Sequence, residues 1–192
     1  MSHFFAYLSR MKNIQRWGLM RNTVPENIQE HSHQVAVIAH GLAVIRNRRF
    51  NGTVDAERVA VLATFHDASE VITGDLATPI KTFNPEIKTA YKEIEGIAAE
   101  RLLSMLPEEL QEDYESIFRP REDDAELWDL VKAADKLCAY LKCIEERKMG
   151  NQSFEKAEQT IREQLEASSQ PEIGYFLTHY APSFSLTLDE LN

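Results

Sequence analysis

The stretch VAVLATFHDASEVITGD, residues 59–75, decides the fold. Its apolar residues recur every three or four positions, which is typical of an α-helix with one buried face. His66 lies on that apolar line, Asp67 lies about 100° further around the axis, and Glu70 follows one turn later. A divalent cation relieves the cost of buried carboxylates, because it binds both imidazole nitrogen and carboxylate oxygen. The stretch therefore predicts a helix with a metal-binding edge.

The same periodicity extends over most of the chain and predicts an all-α fold. Neither an internal repeat nor a flexible linker interrupts it, so we expect one domain over residues 1–192. Asp55 is the predicted N-cap of the third helix, and Asp123 or Asp124 that of the sixth. Helices are predicted at about residues 4–14, 30–48, 55–72, 86–106, 108–118, 124–149 and 154–167, with a short helical turn after residue 171.

Composition excludes several classes of function. The 192 residues are 43% apolar and 27% charged, which is ordinary for a globular protein. The net charge of −10 repels the phosphate backbone, so we expect no nucleic-acid polymer as ligand. No apolar run approaches the roughly 20 residues that span a bilayer, and the N-terminus does not resemble a secretory signal. We therefore expect a cytoplasmic protein without a membrane partner.

Helix geometry sorts the histidines of EHSHQVAVIAH, residues 30–40. His31 shares a face with Val35 and the apolar stripe that follows it, so it points inward. His33 and His40 lie about 200° and 180° away, so they should meet solvent or a partner subunit. An inward histidine standing alone is more often a satisfied core residue than a ligand.

The stretch LWDLVKAADKLCAYLKC, residues 127–143, places Asp135 at the edge of another core-facing stripe. The alternative reading is a carboxylate that forms a salt bridge with Lys132. Cys138 and Cys143 are five residues apart on the same predicted helix, poorly placed to bond each other, so we expect two buried free thiols.

The order of His31, His66-Asp67 and Asp135 resembles the defining pattern of the HD-domain superfamily of metal-dependent phosphohydrolases, which are all-helical. The resemblance covers nearly the whole chain, and it implies a single HD-domain helical bundle. Four stretches are similar to those of the bacterial 5′-deoxynucleotidases in this superfamily: RWGLM (16–20), ENIQEHS (26–32), FHDASEVITGDLATPIK (65–81) and KAADKLCAYLKC (132–143).

The resemblance implies that one divalent metal ion is held by four side chains. The resemblance implies that this ion is Co²⁺, Mn²⁺ or Cu²⁺. Two nitrogen and two oxygen ligands are compatible with each of the three. The implied reaction is hydrolysis of deoxyribonucleoside 5′-monophosphates, and the implied oligomer is a homodimer. A bound divalent ion polarises phosphate and lowers the pKa of water, which suits this reaction. The implied ligands are His31, His66, Asp67 and Asp135.

The matching segments also imply roles around the substrate. Glu70 would orient water or move a proton, and Arg16 would stabilise the phosphate as the second catalytic group. Trp17 would form a wall that excludes a 2′-hydroxyl, and Asp75 would accept the 3′-hydroxyl. The implied substrate-binding residues are Arg16, Trp17, His31, Asp75, Thr78, Pro79, Ile80 and Lys81.

Each role has a structural alternative: Trp17 as a packing anchor, Asp75 as a turn residue, and Arg16 in a surface ion pair. Two other functions also stay open. One is a different HD phosphohydrolase, acting on deoxynucleoside triphosphates, ppGpp or cyclic nucleotides. Longer anions need more basic residues than Arg16 and Lys81. The other is a nucleotide-binding module without turnover, which would have no need of Glu70.

Overall fold

The computed structural model describes residues 1–81, 83–119 and 121–191. Within these ranges the regular structure is helical, apart from one isolated antiparallel bridge between Gln15 and Asn27, so the all-α prediction is confirmed. Short 3-10 turns lie between several of the α-helices. The α-helices are α1 (Phe4–Leu8), α2 (Ile28–Arg49), α3 (Ala56–Phe65), α4 (Glu70–Thr73), α5 (Thr78–Lys81), α6 (Pro85–Leu103), α7 (Glu108–Phe118), α8 (Ala125–Lys148), α9 (Glu155–Glu166) and α10 (Pro171–His179).

Helices α2, α3 and α8 pack against one another and form the main core. Each contributes leucines with no exposed surface, among them Leu42, Leu62 and Leu137. Burial of each such side chain contributes about 1.5–3 kcal/mol. A second cluster joins Phe4 of α1 to Leu102 near the end of α6. None of the described helices is long and apolar enough to cross a membrane.

Side-chain caps explain where the helices begin. Asn27 accepts a hydrogen bond from the Glu30 amide at 3.0 Å, so α2 starts two residues earlier than predicted. Asp55 caps α3 as predicted, by accepting from the Arg58 amide at 2.9 Å. Asp124 stands at the predicted N-cap of α8, but its carboxylate accepts from the Arg58 guanidinium at 2.9 Å instead of capping the helix.

The predicted third helix does not run unbroken to residue 72. It ends at Phe65, and tight turns lead over residues 66–69 into α4. The imidazole Nδ1 of His66 lies 2.7 Å from the Ala63 carbonyl oxygen, which an uninterrupted helix would pair with the Asp67 amide. The side chains of His66 and Asp67 are therefore presented from the end of a helix and not from its flank.

Three further predictions, about which side chains are buried and which are exposed, are confirmed. His31 is buried, whereas His33 and His40 are exposed on the opposite side of α2. Cys138 and Cys143 are both buried and free. Burial raises the pKa of the Cys143 thiol to about 12, so this thiol stays protonated at neutral pH.

Candidate metal centre

Three of the predicted ligands meet where α2 passes the end of α3. One ring nitrogen each from His31 and His66 and one carboxylate oxygen of Asp67 lie within 4.8 Å of one another. The Asp67 oxygen Oδ2 is 3.2 Å from Nε2 of His66 and 3.7 Å from Nε2 of His31. Imidazole and carboxylate donors converging in this way suit a divalent cation.

Asp135 reaches the cluster from α8. Its Oδ1 lies 3.0 Å from Nε2 of His31, although Asp135 is outside the group of three that shares the 4.8 Å limit. The alternative pairing with Lys132 is wrong, because Lys132 pairs with Asp129 at 3.2 Å. The long helix α8 thus supplies a second carboxylate, which approaches the same nitrogen of His31 as Asp67 does.

The ring nitrogens of the two histidines lack hydrogen-bond partners among the described residues, apart from Nδ1 of His66. Both ring nitrogens of His31 and the Nε2 of His66 are buried and make no hydrogen bond to any of the described residues. His66 Nδ1 donates its proton to the Ala63 carbonyl, so Nε2, which faces Asp67, is the nitrogen of this ring that can bind a metal. Buried nitrogens without hydrogen bonds are costly unless another group binds them. These residues therefore fit a metal ion.

The electrostatics of the cluster favour positive charge. Burial lowers the pKa of His66, but the negative charge of Asp67, 3.2 Å from Nε2, outweighs burial and raises this pKa to about 9. Burial raises the pKa of Asp67, yet the neighbouring His66, His31 and Arg16 hold it well below its usual range. A carboxylate that stays ionised among neutral or cationic imidazoles is a good ligand for a divalent ion.

Arg16 lies among the acidic groups of the centre. Its guanidinium is 3.3 Å from Asp67, 3.8 Å from Asp135 and 3.2 Å from Glu26. The side chain is only 15% exposed, so the reading of Arg16 as a surface ion pair is wrong. Arg16 therefore lies beside the predicted ligands, and its positive charge is shared among three carboxylates.

Glu70, which is buried, and Lys81, which is half-buried, form a pair next to the predicted ligands. Nζ of Lys81 is 3.2 Å from Oε1 of Glu70, and Oε2 of Glu70 is buried without a hydrogen bond to any described residue. Burial and the charge of Asp67 raise the pKa of Glu70 to about 8, against the opposing effect of Lys81. A carboxyl group with this pKa can hold or release a proton near neutral pH.

Trp17 and Glu26 belong to the segment between α1 and α2, and they flank the centre. The indole Nε1 of Trp17 donates to Oε2 of Glu26 at 3.0 Å, and its ring lies 5.3 Å from the ring of Phe154. Glu26 also approaches Nδ1 of His31, at 3.9 Å. Sequence reasoning missed Glu26, although it belongs to the matching stretch ENIQEHS and approaches three predicted site residues, namely Arg16, Trp17 and His31.

The remaining predicted residues lie on the 74–81 segment. Asp75 follows Gly74, whose φ of +74° favours glycine. The negative charge of Asp75 raises the pKa of both Arg16 and Glu70. Helix α5 turns Lys81 inward to the centre. It leaves three predicted residues exposed at the surface: Thr78, Pro79 and Ile80.

Comparison with known proteins agrees with this geometry. The model of the family described as 5′-deoxynucleotidase YfbR-like matches residues 3–184. The chain is 56% identical over 192 residues to a 5′-deoxynucleotidase of Photorhabdus temperata, covering 100% of this chain and 98% of the relative. It is 53% identical over 191 residues to a 5′-deoxynucleotidase of Vibrio parahaemolyticus, with the same coverage.

Solved structures agree on the fold. An HD-domain phosphohydrolase of Listeria innocua matches with a TM-score of 0.82 at 22% identity, covering 95% of this chain and 88% of that one. A cyanophage S-2L HD phosphohydrolase, bound to dA and one catalytic Zn²⁺ ion, matches with a TM-score of 0.62 at 20% identity, covering 93% and 96%. The chain therefore belongs to the YfbR-like family of HD-domain, metal-dependent phosphohydrolases and is a 5′-deoxynucleotidase.

Proposed function

We propose that one divalent ion is held by the two histidines and two aspartates of the centre, and that deoxyribonucleoside 5′-monophosphates are hydrolysed there to deoxyribonucleoside and phosphate. The observation that carries the proposal is the set of buried imidazole nitrogens without hydrogen bonds, which face ionised carboxylates. The proposed ligands are His31, His66, Asp67 and Asp135.

Two nitrogen and two oxygen donors are compatible with Co²⁺, Mn²⁺ or Cu²⁺. When bound, the ion supplies Lewis-acid polarisation of the phosphate and lowers the pKa of water. The cyanophage neighbour, which holds Zn²⁺, adds a fourth ion to be compared.

Arg16 and Lys81 supply the positive charge that the phosphate needs. Each is paired with acidic side chains in the structure, so a phosphate oxygen exchanges with one of those carboxylates as it binds. Glu70 moves a proton at its Oε2, the oxygen that has no hydrogen bond to a described residue. A raised pKa keeps Glu70 able to serve as either acid or base near neutral pH.

The sugar and the base lie outside this charged centre. Trp17 forms the wall that excludes a 2′-hydroxyl, and its fixed contact with Glu26 supports that role. Asp75 accepts the 3′-hydroxyl. The exposed residues of α5 border the nucleotide: Thr78, Pro79 and Ile80.

We further propose that two copies of the chain associate as a homodimer, as the family resemblance implies. An exposed stripe on α2, formed by His33, Val37, His40 and Val44, supports an interface there, since Val37 is 59% exposed. Sedimentation analysis of wild-type protein and of a Val37→Glu variant tests it: the variant should be monomeric, and a monomeric wild type would refute the dimer.

The function is tested by phosphate release from dAMP, AMP and dATP, with Co²⁺ or Mn²⁺ and with chelator. Turnover of dAMP alone, abolished by chelator, is expected. Equal rates on AMP and dAMP would contradict the role of Trp17. Preferential turnover of dATP would favour the triphosphohydrolase alternative, and nucleotide binding without turnover would favour the regulatory module.

A further inference from the structure

A second buried polar cluster lies outside the centre, at the C-terminal end of α8. Glu146 is 1% exposed and Lys142 is 4% exposed, and the two side chains pair with each other. A buried charged pair of this kind needs further hydrogen bonds to offset the cost of removing it from water. Those bonds come mainly from a distant loop.

The loop of residues 21–24 is the partner. The Glu146 carboxylate accepts from the main-chain amides of Thr23 at 2.8 Å and Val24 at 3.1 Å. Lys142 donates to the Val24 carbonyl. Asn151 donates to the carboxylate of Glu146 and to the Arg21 carbonyl, both at 2.7 Å. Three side chains at the end of α8 and just after it therefore hold the main chain of this loop.

This loop begins four residues after Trp17 and is linked to it by hydrogen bonds. The Met20 amide donates to the Trp17 carbonyl at 2.8 Å, and the Asn22 side chain reaches the same oxygen at 3.5 Å. Trp17 itself has a φ of +59°, in the left-handed region that is strained for a bulky residue. Such a conformation persists only where surrounding contacts hold it.

The short segment after α8 also reaches the Trp17 ring. Phe154, fully buried three residues after Asn151, contacts the indole. The end of α8 and the segment after it thus act on Trp17 twice, on its main chain through residues 21–24 and on its ring through Phe154, while Glu26 holds the indole Nε1. We propose that Glu146 is a positioning residue for substrate discrimination: by holding residues 21–24 against α8 it keeps Trp17 in the conformation that excludes ribonucleotides. This inference rests on the sugar-wall role of Trp17 in the proposed function.

The test is Glu146→Gln, which keeps one amide oxygen as acceptor but removes the charge. Two readouts are needed. The first is the rate of tryptic cleavage at the exposed Arg21–Asn22 bond, followed by mass spectrometry, which reports release of the loop without reference to activity. It should rise about tenfold or more, because charged hydrogen bonds to the loop are lost. The second is the ratio of kcat/KM for dAMP to that for AMP, which should fall several-fold while metal content stays unchanged.

Two further variants keep the test decisive. If Glu146→Gln is too unstable, Lys142→Met with Glu146→Leu replaces the pair by apolar side chains of similar volume. Thr23 and Val24 are exposed, so water can hydrate their amides once the loop is released. The control is Glu172→Gln, which removes a different buried carboxylate, paired with Arg46. It should lower stability without changing cleavage at Arg21 or the dAMP:AMP ratio.

An unchanged dAMP:AMP ratio in Glu146→Gln would overturn the proposal, whether or not cleavage at Arg21 had risen. A ratio that falls equally in Glu172→Gln would also overturn it, since general destabilisation would then explain the effect. Wild-type protein that does not distinguish dAMP from AMP would refute the role of Trp17 and this proposal with it. Cleavage at Arg21 would then still show whether Glu146 holds the loop.

Discussion

Two groups of polar side chains lie along α8, and their hydrogen-bonding patterns are opposite. Around Glu146, the carboxylate accepts hydrogen bonds from two main-chain amides, Lys142 and Asn151. Around Asp135, buried ring nitrogens of His31 and His66 approach carboxylates without forming a hydrogen bond. The first group is satisfied by the protein itself, whereas the second is completed by something that binds.

This difference distinguishes buried polar groups that stabilise the fold from buried polar groups that bind a ligand. A satisfied buried network stabilises one conformation of the chain, because every polar atom has a partner in the folded state. An unsatisfied one costs stability and is retained where ligand binding offsets that cost. The pKa values follow the same division, since that of Glu146 is lowered to about 2 and that of Glu70, beside the metal centre, is raised to about 8.

The largest expected effect is that of Asp67→Asn. Asp67 contacts His66, His31 and Arg16, so its charge holds the centre together. Loss of the bound ion removes several kcal/mol of transition-state stabilisation, and kcat/KM for dAMP should fall about a thousandfold or more. Phosphate release measures it. Full activity in Asp67→Asn would mean that the group around Asp135, to which Asp67 belongs, has no more part in catalysis than the group around Glu146.

Glu70→Gln should lower kcat by about 10²- to 10⁴-fold, the usual contribution of a positioned acid or base. Bound metal, measured by elemental analysis, should stay at the wild-type level, because Glu70 is outside the group of donors. The exposed Glu93→Gln on α6 is the matched control and should be fully active. Loss of metal in Glu70→Gln would instead make Glu70 part of the metal-binding structure.

In the satisfied group, Lys142→Met should lower the free energy of unfolding by about 3–5 kcal/mol, because it leaves the Glu146 charge buried without its cation. Urea denaturation measures this change. The double variant Lys142→Met with Glu146→Leu should recover much of the loss. If Lys142→Met alone has the same free energy of unfolding as wild type, the pair of Lys142 and Glu146 does not stabilise the fold.

The smallest effect is a pair of opposite pH dependences of stability. Burial raises the pKa of Glu146, but hydrogen bonds from Lys142, Asn151 and the main chain bring it from 4.5 to about 2. Its stabilisation is thus present above pH 4.5 and is lost as the pH falls towards 2. The stability gap between wild type and Glu146→Gln should therefore narrow over that range.

Glu70 should behave in the reverse sense in chelator-treated protein. Its pKa is raised from 4.5 to about 8, so ionisation destabilises the fold as the pH rises through that range. Glu70→Gln should exceed wild type in unfolding free energy by at least about 1 kcal/mol at pH 8.5, and the two should converge below pH 4.5. Curves that move in the same direction for Glu70→Gln and Glu146→Gln would contradict the comparison.

Sequence periodicity predicted most of the fold because helix faces depend on local spacing. It placed His31 inward and His33 outward, as the structure has them. It did not foresee the end of α3 at Phe65, because that break depends on the His66 ring taking the Ala63 carbonyl. Helical spacing alone cannot show a side chain competing with the main chain for an acceptor.

The site was predicted less completely, because its pairings join distant parts of the chain. Arg16 and Lys81 are predicted as the positive charges for phosphate, but spacing does not reveal that acidic side chains 51 and 11 residues away pair with them. Glu26 was missed because only the fold brings it to Arg16, Trp17 and His31. The family motif supplies the ligands, but it contains no information on the hydrogen bonds around them.

The most direct test of the metal centre is equilibrium dialysis of chelator-treated protein against Co²⁺ or Mn²⁺. Wild-type protein should bind one ion per chain, and His66→Ala should bind at least about a hundredfold more weakly, since loss of a ligand exceeds the effect of losing a supporting group. Glu146→Gln, from the satisfied group, should bind as wild type does. Unchanged affinity in His66→Ala would contradict the assignment of this centre as the metal site.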